Sequence, residues 1–126
     1  MTNLPTQDQV NTALREIGNS LLKQPYKDAW SEDNPTLGYC YVVSEALYHY
    51  AVDGTVTPRV ISFPEGGTHW YLQTEEGIVD FTSEQFPFDV DYAASNRCPF
   101  FKGGVQTSRG YISKRGHIIA QKLGLV

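Results

Sequence analysis

Val10, Leu14, Ile17 and Leu21 recur at three- and four-residue intervals in an otherwise polar stretch, the spacing that turns one face of an α-helix toward a core. Thr6 can cap that helix and the Gln24-Pro25 step should end it, so the pattern predicts a helix over Thr6–Leu22. Residues 25–38 are polar and loop-like except for Trp30. A second helix is predicted from Tyr39 or Cys40 to Tyr50, with Val43, Ala46, Leu47 and Tyr50 inward and the Asp53-Gly54 turn behind it. The period then changes. Arg59–Phe63, His69–Gln73 and Ile78–Phe81 are β-rich runs separated by Pro64-Glu65-Gly66-Gly67 and Glu75-Glu76-Gly77, which predicts an antiparallel meander.

Farther along, Ser83–Phe86 fits one helical turn before Pro87, and residues 87–106 show no regular pattern. Tyr111, Ile112, Ile118, Ile119 and Leu123 predict a last helix from about Thr107 to Lys122, with Gly110 and Gly116 as its weak points. Two helices, three strands and one helix make an α+β fold, N-terminal helices packed on a small antiparallel sheet with a C-terminal helix.

Length and composition narrow the class. At 126 residues, 40% hydrophobic and 13% aromatic, the chain reads as a single folded domain over residues 1–126. No run approaches the ~18 apolar residues of a membrane span. The first residues lack the basic-then-apolar order of a secretory signal, and two cysteines make no disulfide framework. The expectation is a cytoplasmic protein with free thiols and no membrane partner. Charge is unevenly spread. All 14 acidic residues lie between Asp8 and Asp91, whereas Arg97, Lys102, Arg109, Lys114, Arg115 and Lys122 give residues 92–126 a charge of +6. That basic stretch, 97–122, is either an anion-binding surface or a segment packed on an acidic body or solvated. No aromatic-interleaved RNA motif or DNA-binding motif accompanies it and the net charge is −4, which count against a nucleic-acid partner; an accessory role on nucleic acid through residues 97–122, marked by steep salt dependence, is the third reading.

Cys40 falls at the start of the second helix, just after Gly38. Unpaired backbone N–H groups and the positive end of the helix dipole favour a thiolate there; the alternative is a buried cysteine that fills space. A nucleophilic thiolate needs a base, and the base an orienting acceptor. His69 heads a strand after Gly66-Gly67-Thr68, and Asp80 interrupts the apolar run Ile78-Val79-Asp80-Phe81, where a carboxylate is costly unless paired. Eleven residues separate the two, the span a short hairpin needs to bring them together. Each also has a plainer reading: His69 as a satisfied partly buried ring, Asp80 as a cap on the turn at Thr82 or Ser83. His49 is expected at the rim of the second helix and His117 in a structural role. Cys98 is a conceivable resolving thiol for Cys40. No CxxC, HExxH or paired-His spacing points to a metal, and no glycine-rich loop precedes a helix to cradle a phosphate, so no metal or cofactor is expected.

Three blocks carry a resemblance. Trp30-Ser31-Glu32-Asp33-Asn34-Pro35-Thr36-Leu37-Gly38-Tyr39-Cys40, Thr68-His69-Trp70-Tyr71 and Val79-Asp80-Phe81-Thr82-Ser83-Glu84-Gln85-Phe86 resemble the YunG-like family of small bacterial proteins over Ala29 to Phe86. More remotely, a helix-borne cysteine followed by histidine and aspartate on strands resembles the transglutaminase-like branch of the papain-fold enzymes, an analogy of architecture and role. The family's glutamine before the cysteine is Tyr39 here, and its histidine–tyrosine step is His69-Trp70. With that glutamine missing, an oxyanion hole would need the Cys40 N–H and a second donor, for which Asn34 and the Trp30 indole are candidates; Tyr39, Trp70 and Gln85 are further cleft candidates. Losing one such donor costs ~3 kcal/mol in a working enzyme. The expected function is a cysteine-dependent hydrolase or acyltransferase acting on a peptide, protein or small amide or ester through Cys40, His69 and Asp80. The alternative is a catalytically inactive papain-like module that binds a peptide or partner protein.

Overall fold

The computed structural model describes residues 3–126. Helix α1 (Gln7–Ile17) begins with a complete capping box: the Thr6 hydroxyl accepts from Gln9 N–H while the Gln9 side chain accepts from Thr6 N–H, satisfying two of the amides a helix start leaves open. It stops five residues before the predicted Leu22. Gly18 takes φ 69° and donates its N–H to the Leu14 carbonyl, so the glycine ends the helix although the apolar spacing runs on; Leu22 still reaches the core from the turn beyond. The predicted loop holds one helical turn, α2 (Tyr26–Ala29).

Helix α3 (Cys40–Tyr50) begins where expected but is buried on nearly every side, not along one stripe. Val42, Val43, Ser44, Glu45, Ala46, Leu47 and His49 are all buried, because the sheet packs on one side of the helix and α4 (Lys114–Lys122) on another. Strands β1 (Val56–Ser62), β2 (Thr68–Thr74) and β3 (Gly77–Val79) form the predicted meander. A fourth strand, β4 (Ser95–Arg97), extends the sheet to the order β3-β2-β1-β4, pairing Arg59 with Arg97 and Ile61 with Ser95. Central β2 keeps His69, Trp70, Tyr71 and Leu72 buried.

The last third departs most from expectation. Where one helix was predicted from Thr107, residues 105–112 form a hairpin, β5 (Val105–Thr107) with β6 (Gly110–Ile112), and only Lys114–Lys122 is helical. The Thr107 hydroxyl accepts from Arg109 N–H and donates to the Gly110 carbonyl, a local hydroxyl turn that outcompetes helix. Ser113 then caps α4 and donates to Glu45 of α3. The Glu45 carboxylate, 0% exposed, also accepts from Ser113 N–H at 2.9 Å. Burial raises its pKa and the Ser113 bonds pull it back down. The core joins Val10 and Leu14 of α1, Val43 and Leu47 of α3, Leu72 of β2 and Ile119 of α4. Among the described residues no helix is long and apolar enough to cross a membrane.

Candidate active site

Cys40 is the first residue of α3, and a glycine-dependent close approach brings the chain there. Gly38 takes φ 80°, and a Cβ on it would lie 2.9 Å from the Tyr26 Cβ and 3.0 Å from a Leu22 methyl, so only glycine lets the chain pass α2 at this point. Gln85, in the helical turn Ser83–Gln85, holds the same loop. Its side-chain oxygen accepts from Gly38 N–H, its side-chain nitrogen donates to the Thr82 carbonyl, and its own carbonyl accepts from Asn34. One residue therefore ties the approach to Cys40 to the segment just after Asp80.

The Cys40 sulfur lies 3.9 Å from the Thr68 carbonyl, next to the residue that begins the histidine's block. His69 is completely buried. Its Nε2 lies 2.7 Å from Asp80 Oδ2. The register explains the reach: Leu72 pairs with Val79, which sets Asp80 beside Tyr71, and a diagonal neighbour two residues along is within range of a long side chain. The pair is thus diagonal and not directly opposed as the hairpin count implied. The other ring nitrogen, Nδ1, is buried with no hydrogen-bond partner among the described residues. Cys40 is the further polar neighbour that acts on the ring.

The electrostatics follow from these contacts. Burial alone pushes His69 toward the neutral form and is the largest single influence. The Asp80 hydrogen bond, the Cys40 side chain and the charges of both outweigh it together and raise the pKa to about 9. Burial likewise works against the Asp80 carboxylate, yet His69, Tyr92 and Thr82 hold its pKa below the ordinary value. Oδ2 accepts from the Tyr92 hydroxyl at 2.7 Å, and Oδ1 accepts from Thr82 N–H at 3.1 Å and the Thr82 hydroxyl at 3.3 Å. Asp80 therefore both caps the following turn and holds the histidine; the two readings of it hold together. Tyr92, in the turn Tyr92–Ala94, is a partner that the sequence did not reveal, since it comes from the stretch without a pattern.

The other candidates are placed as follows. The Trp30 indole donates to the Pro35 carbonyl at 2.9 Å, within the loop, and the Asn34 amide to the Gln85 carbonyl in the turn after Asp80, so both side chains already have acceptors. Tyr39 is completely buried, its hydroxyl on the Gly18 carbonyl at the end of α1. Trp70 alternates with His69 along β2 and packs among Tyr41, Phe100 and Phe101. Phe86 instead meets the His69 ring edge to face at 4.9 Å. Tyr39 caps α3 without a side-chain hydrogen bond, leaving the first amides of that helix uncapped beside Cys40. His49 is buried, not at the rim, with Nδ1 2.6 Å from the Thr107 hydroxyl; burial first, then Arg109, lowers its pKa. His117 lies 3.2 Å from the Tyr50 hydroxyl. Cys98 follows β4, its N–H on the Pro58 carbonyl, whereas Thr68 beside Cys40 pairs with Ser62 four residues farther along β1. Among the described residues no group of three or more His, Cys, Asp or Glu side chains is arranged to hold a metal ion. The two clefts of about 430 and 400 Å3 lie elsewhere and include none of Cys40, His69 or Asp80.

The chain matches the YunG protein family over residues 6–110. It belongs to that family. The match takes in Cys40, His69, Asp80 and Tyr92 and ends at Gly110, before α4 of this YunG family member. No curated protein and no solved structure matches the chain.

Proposed function

We propose that this YunG family member is a cysteine-dependent acyl-transfer enzyme with Cys40 as nucleophile, His69 as acid and base, and Asp80 as the group that orients the histidine. One observation carries the reading: a completely buried histidine is held by a carboxylate through Nε2, a helix-start cysteine acts on its ring, and its second nitrogen has no hydrogen-bond partner among the described residues. A buried polar atom left open costs about 1–3 kcal/mol, an arrangement that is retained where the atom exchanges a proton.

In the proposed cycle the sulfur attacks an amide or ester carbonyl and forms the S–C bond. The uncapped amides at the start of α3 face the developing oxyanion, and the tetrahedral adduct collapses as protonated His69 gives its proton to the departing amine or alcohol. Water or an amine then attacks the thioester, neutral His69 takes its proton, and the sulfur leaves as the thiolate, restoring the thiolate and protonated histidine with which the cycle began. Asp80 stays ionised throughout, fixing the ring through Nε2, so the histidine's roles are exchanged between nitrogens relative to the serine triad, where the acid holds Nδ1. The helix–strand order is also what a transglutaminase-like, papain-fold ancestry requires, and that remote relationship is part of the proposal.

The engagement of the Trp30 indole on Pro35 and of the Asn34 amide on Gln85 favours a second reading, a papain-like binding module whose cysteine is inert. Alkylation by iodoacetamide at pH 6, followed for each cysteine by peptide mass spectrometry, separates the two. Cys98 is the more exposed thiol, so access alone makes it react first. Faster labelling of Cys40, lost in Asp80→Asn and His69→Gln proteins that keep the native circular dichroism, is the expected result. Labelling that follows exposure in all three proteins refutes the enzyme reading.

A further inference from the structure

Away from Cys40, two clefts stand side by side with Phe101 and Lys102 as a shared wall. The first, about 430 Å3, lies between the end of α3 and the β5–β6 hairpin, with Arg109 and Tyr111 on its rim. The second, about 400 Å3, runs from Tyr41 to the start of α4 at Lys114 and Arg115. Neither is lined by an aspartate or glutamate. Glu45 lies behind the second but is buried and bonded to Ser113. Four cations thus meet on one face of a chain whose net charge is −4 and whose acidic residues all precede Tyr92.

The shared wall is a prepared stacking surface. Phe101 is 70% exposed. Its inner face stacks on Tyr41 at 5.3 Å and 22°, and its N–H donates to the Tyr41 hydroxyl at 2.7 Å, so the ring is fixed with its outer face open. Tyr111, on the hairpin, is 51% exposed. The Arg109 guanidinium is held 5.0 Å over the Tyr48 ring with one nitrogen on the Gly54 carbonyl, and Arg115 is anchored on the Leu21 carbonyl; each keeps further N–H donors. Lys102 and Lys114 make no ion pair among the described residues. A fixed, outward-facing aromatic ring between flanking cations, with no carboxylate lining either cleft, is what a flexible strand of bases and phosphates requires.

We propose that this face binds single-stranded nucleic acid, with a base stacked on Phe101 and phosphates at Lys102, Arg109, Lys114 and Arg115. The sequence alone hid what holds the site in place, because Tyr41 and Tyr48 come from α3, some sixty residues before the Phe101 and Arg109 they support. The proposal is independent of any chemistry at Cys40.

Fluorescence anisotropy of the full chain with a labelled oligothymidylate of about ten nucleotides, titrated across a salt series, tests it. Four phosphate contacts predict a slope of log K against log salt of about −3. Phe101→Ser should weaken binding about 5- to 150-fold, and the Lys102→Ser/Lys114→Ser double variant should bring the slope to about −1.5; all three residues are exposed, so the fold is retained. Cys40→Ser should bind as the wild type does. The proposal is overturned if the oligonucleotide does not bind at low salt, or if Phe101→Ser and the lysine variant bind unchanged. It is also overturned if a labelled polyglutamate of equal charge binds as tightly, because the face is then a general anion surface.

Discussion

The His69–Asp80 pair ties stability to pH in a direction opposite to that of most buried histidines. His69 has a pKa of about 9 when folded, against an ordinary 6.5. Between those values the folded protein holds a proton that the unfolded chain has released. Stability is therefore fully present below pH 6.5 and falls as the pH rises through 9. The shift corresponds to about 3 kcal/mol, a sizeable share of the roughly 5–15 kcal/mol that a domain of this size has. The lowered pKa of Asp80 is the same contact seen from its partner and is counted once.

Urea unfolding followed by tryptophan fluorescence at half-unit steps from pH 5.5 to pH 9.5 measures this loss directly, with Trp30 and Trp70 as reporters. Replacing the carboxylate in Asp80→Asn leaves burial, the largest single influence on His69, without its main opponent. The fall above pH 6.5 should vanish in that variant, and a fall below pH 6.5 should take its place as a buried neutral ring is forced to protonate. His49, whose pKa is lowered by burial, contributes only below pH 6.5 and does so in both proteins. A wild-type stability that is level from pH 6.5 to 9, or an equal decline in Asp80→Asn, refutes the reasoning.

Tyr92→Phe removes one of the bonds that hold the Asp80 carboxylate. It should cost about 1.5–3 kcal/mol in urea unfolding at pH 7. Gly38→Ala places a methyl against the Tyr26 Cβ at a positive φ and should lower stability by about 2–4 kcal/mol; Gly18→Ala, also at positive φ but with open space around it, should cost only about 1–2 kcal/mol, and thermal melts of the two compare them. Gly116→Ala puts a Cβ 2.5 Å from a Glu45 carboxylate oxygen and should cost about 1–3 kcal/mol, read in the same thermal melts.

What could be read from the sequence was what depends on local spacing. α1 and α3 follow from apolar periodicity, and β1 to β3 from β-branched and aromatic runs between turn residues. The Cys40, His69 and Asp80 candidates were nameable because a cysteine at a helix start and a carboxylate in an apolar strand are conspicuous. What escaped depends on partners distant in the chain. Ser95-Asn96-Arg97 is too polar and short to announce an edge strand and gains its order from β1. Residues 105–112 carry apolar positions that also suit a helix, and only the Thr107 hydroxyl turn decides otherwise. Glu45 occupies what reads as a polar, solvent-facing position until Ser113 arrives from 68 residues away, and Tyr92 reaches Asp80 from a segment with no periodic signal.

Ser113 spends its one hydroxyl twice, accepting from the Gly116 amide and donating to Glu45. Lys114 and Arg115 follow it immediately, and Glu45 stands five residues along the helix that opens with Cys40. A stiff helix of that span is only about 7–8 Å long. The first turn of α4 is therefore pinned to the same stiff helix that carries the thiol, so the basic face and Cys40 are held in one frame at a fixed separation.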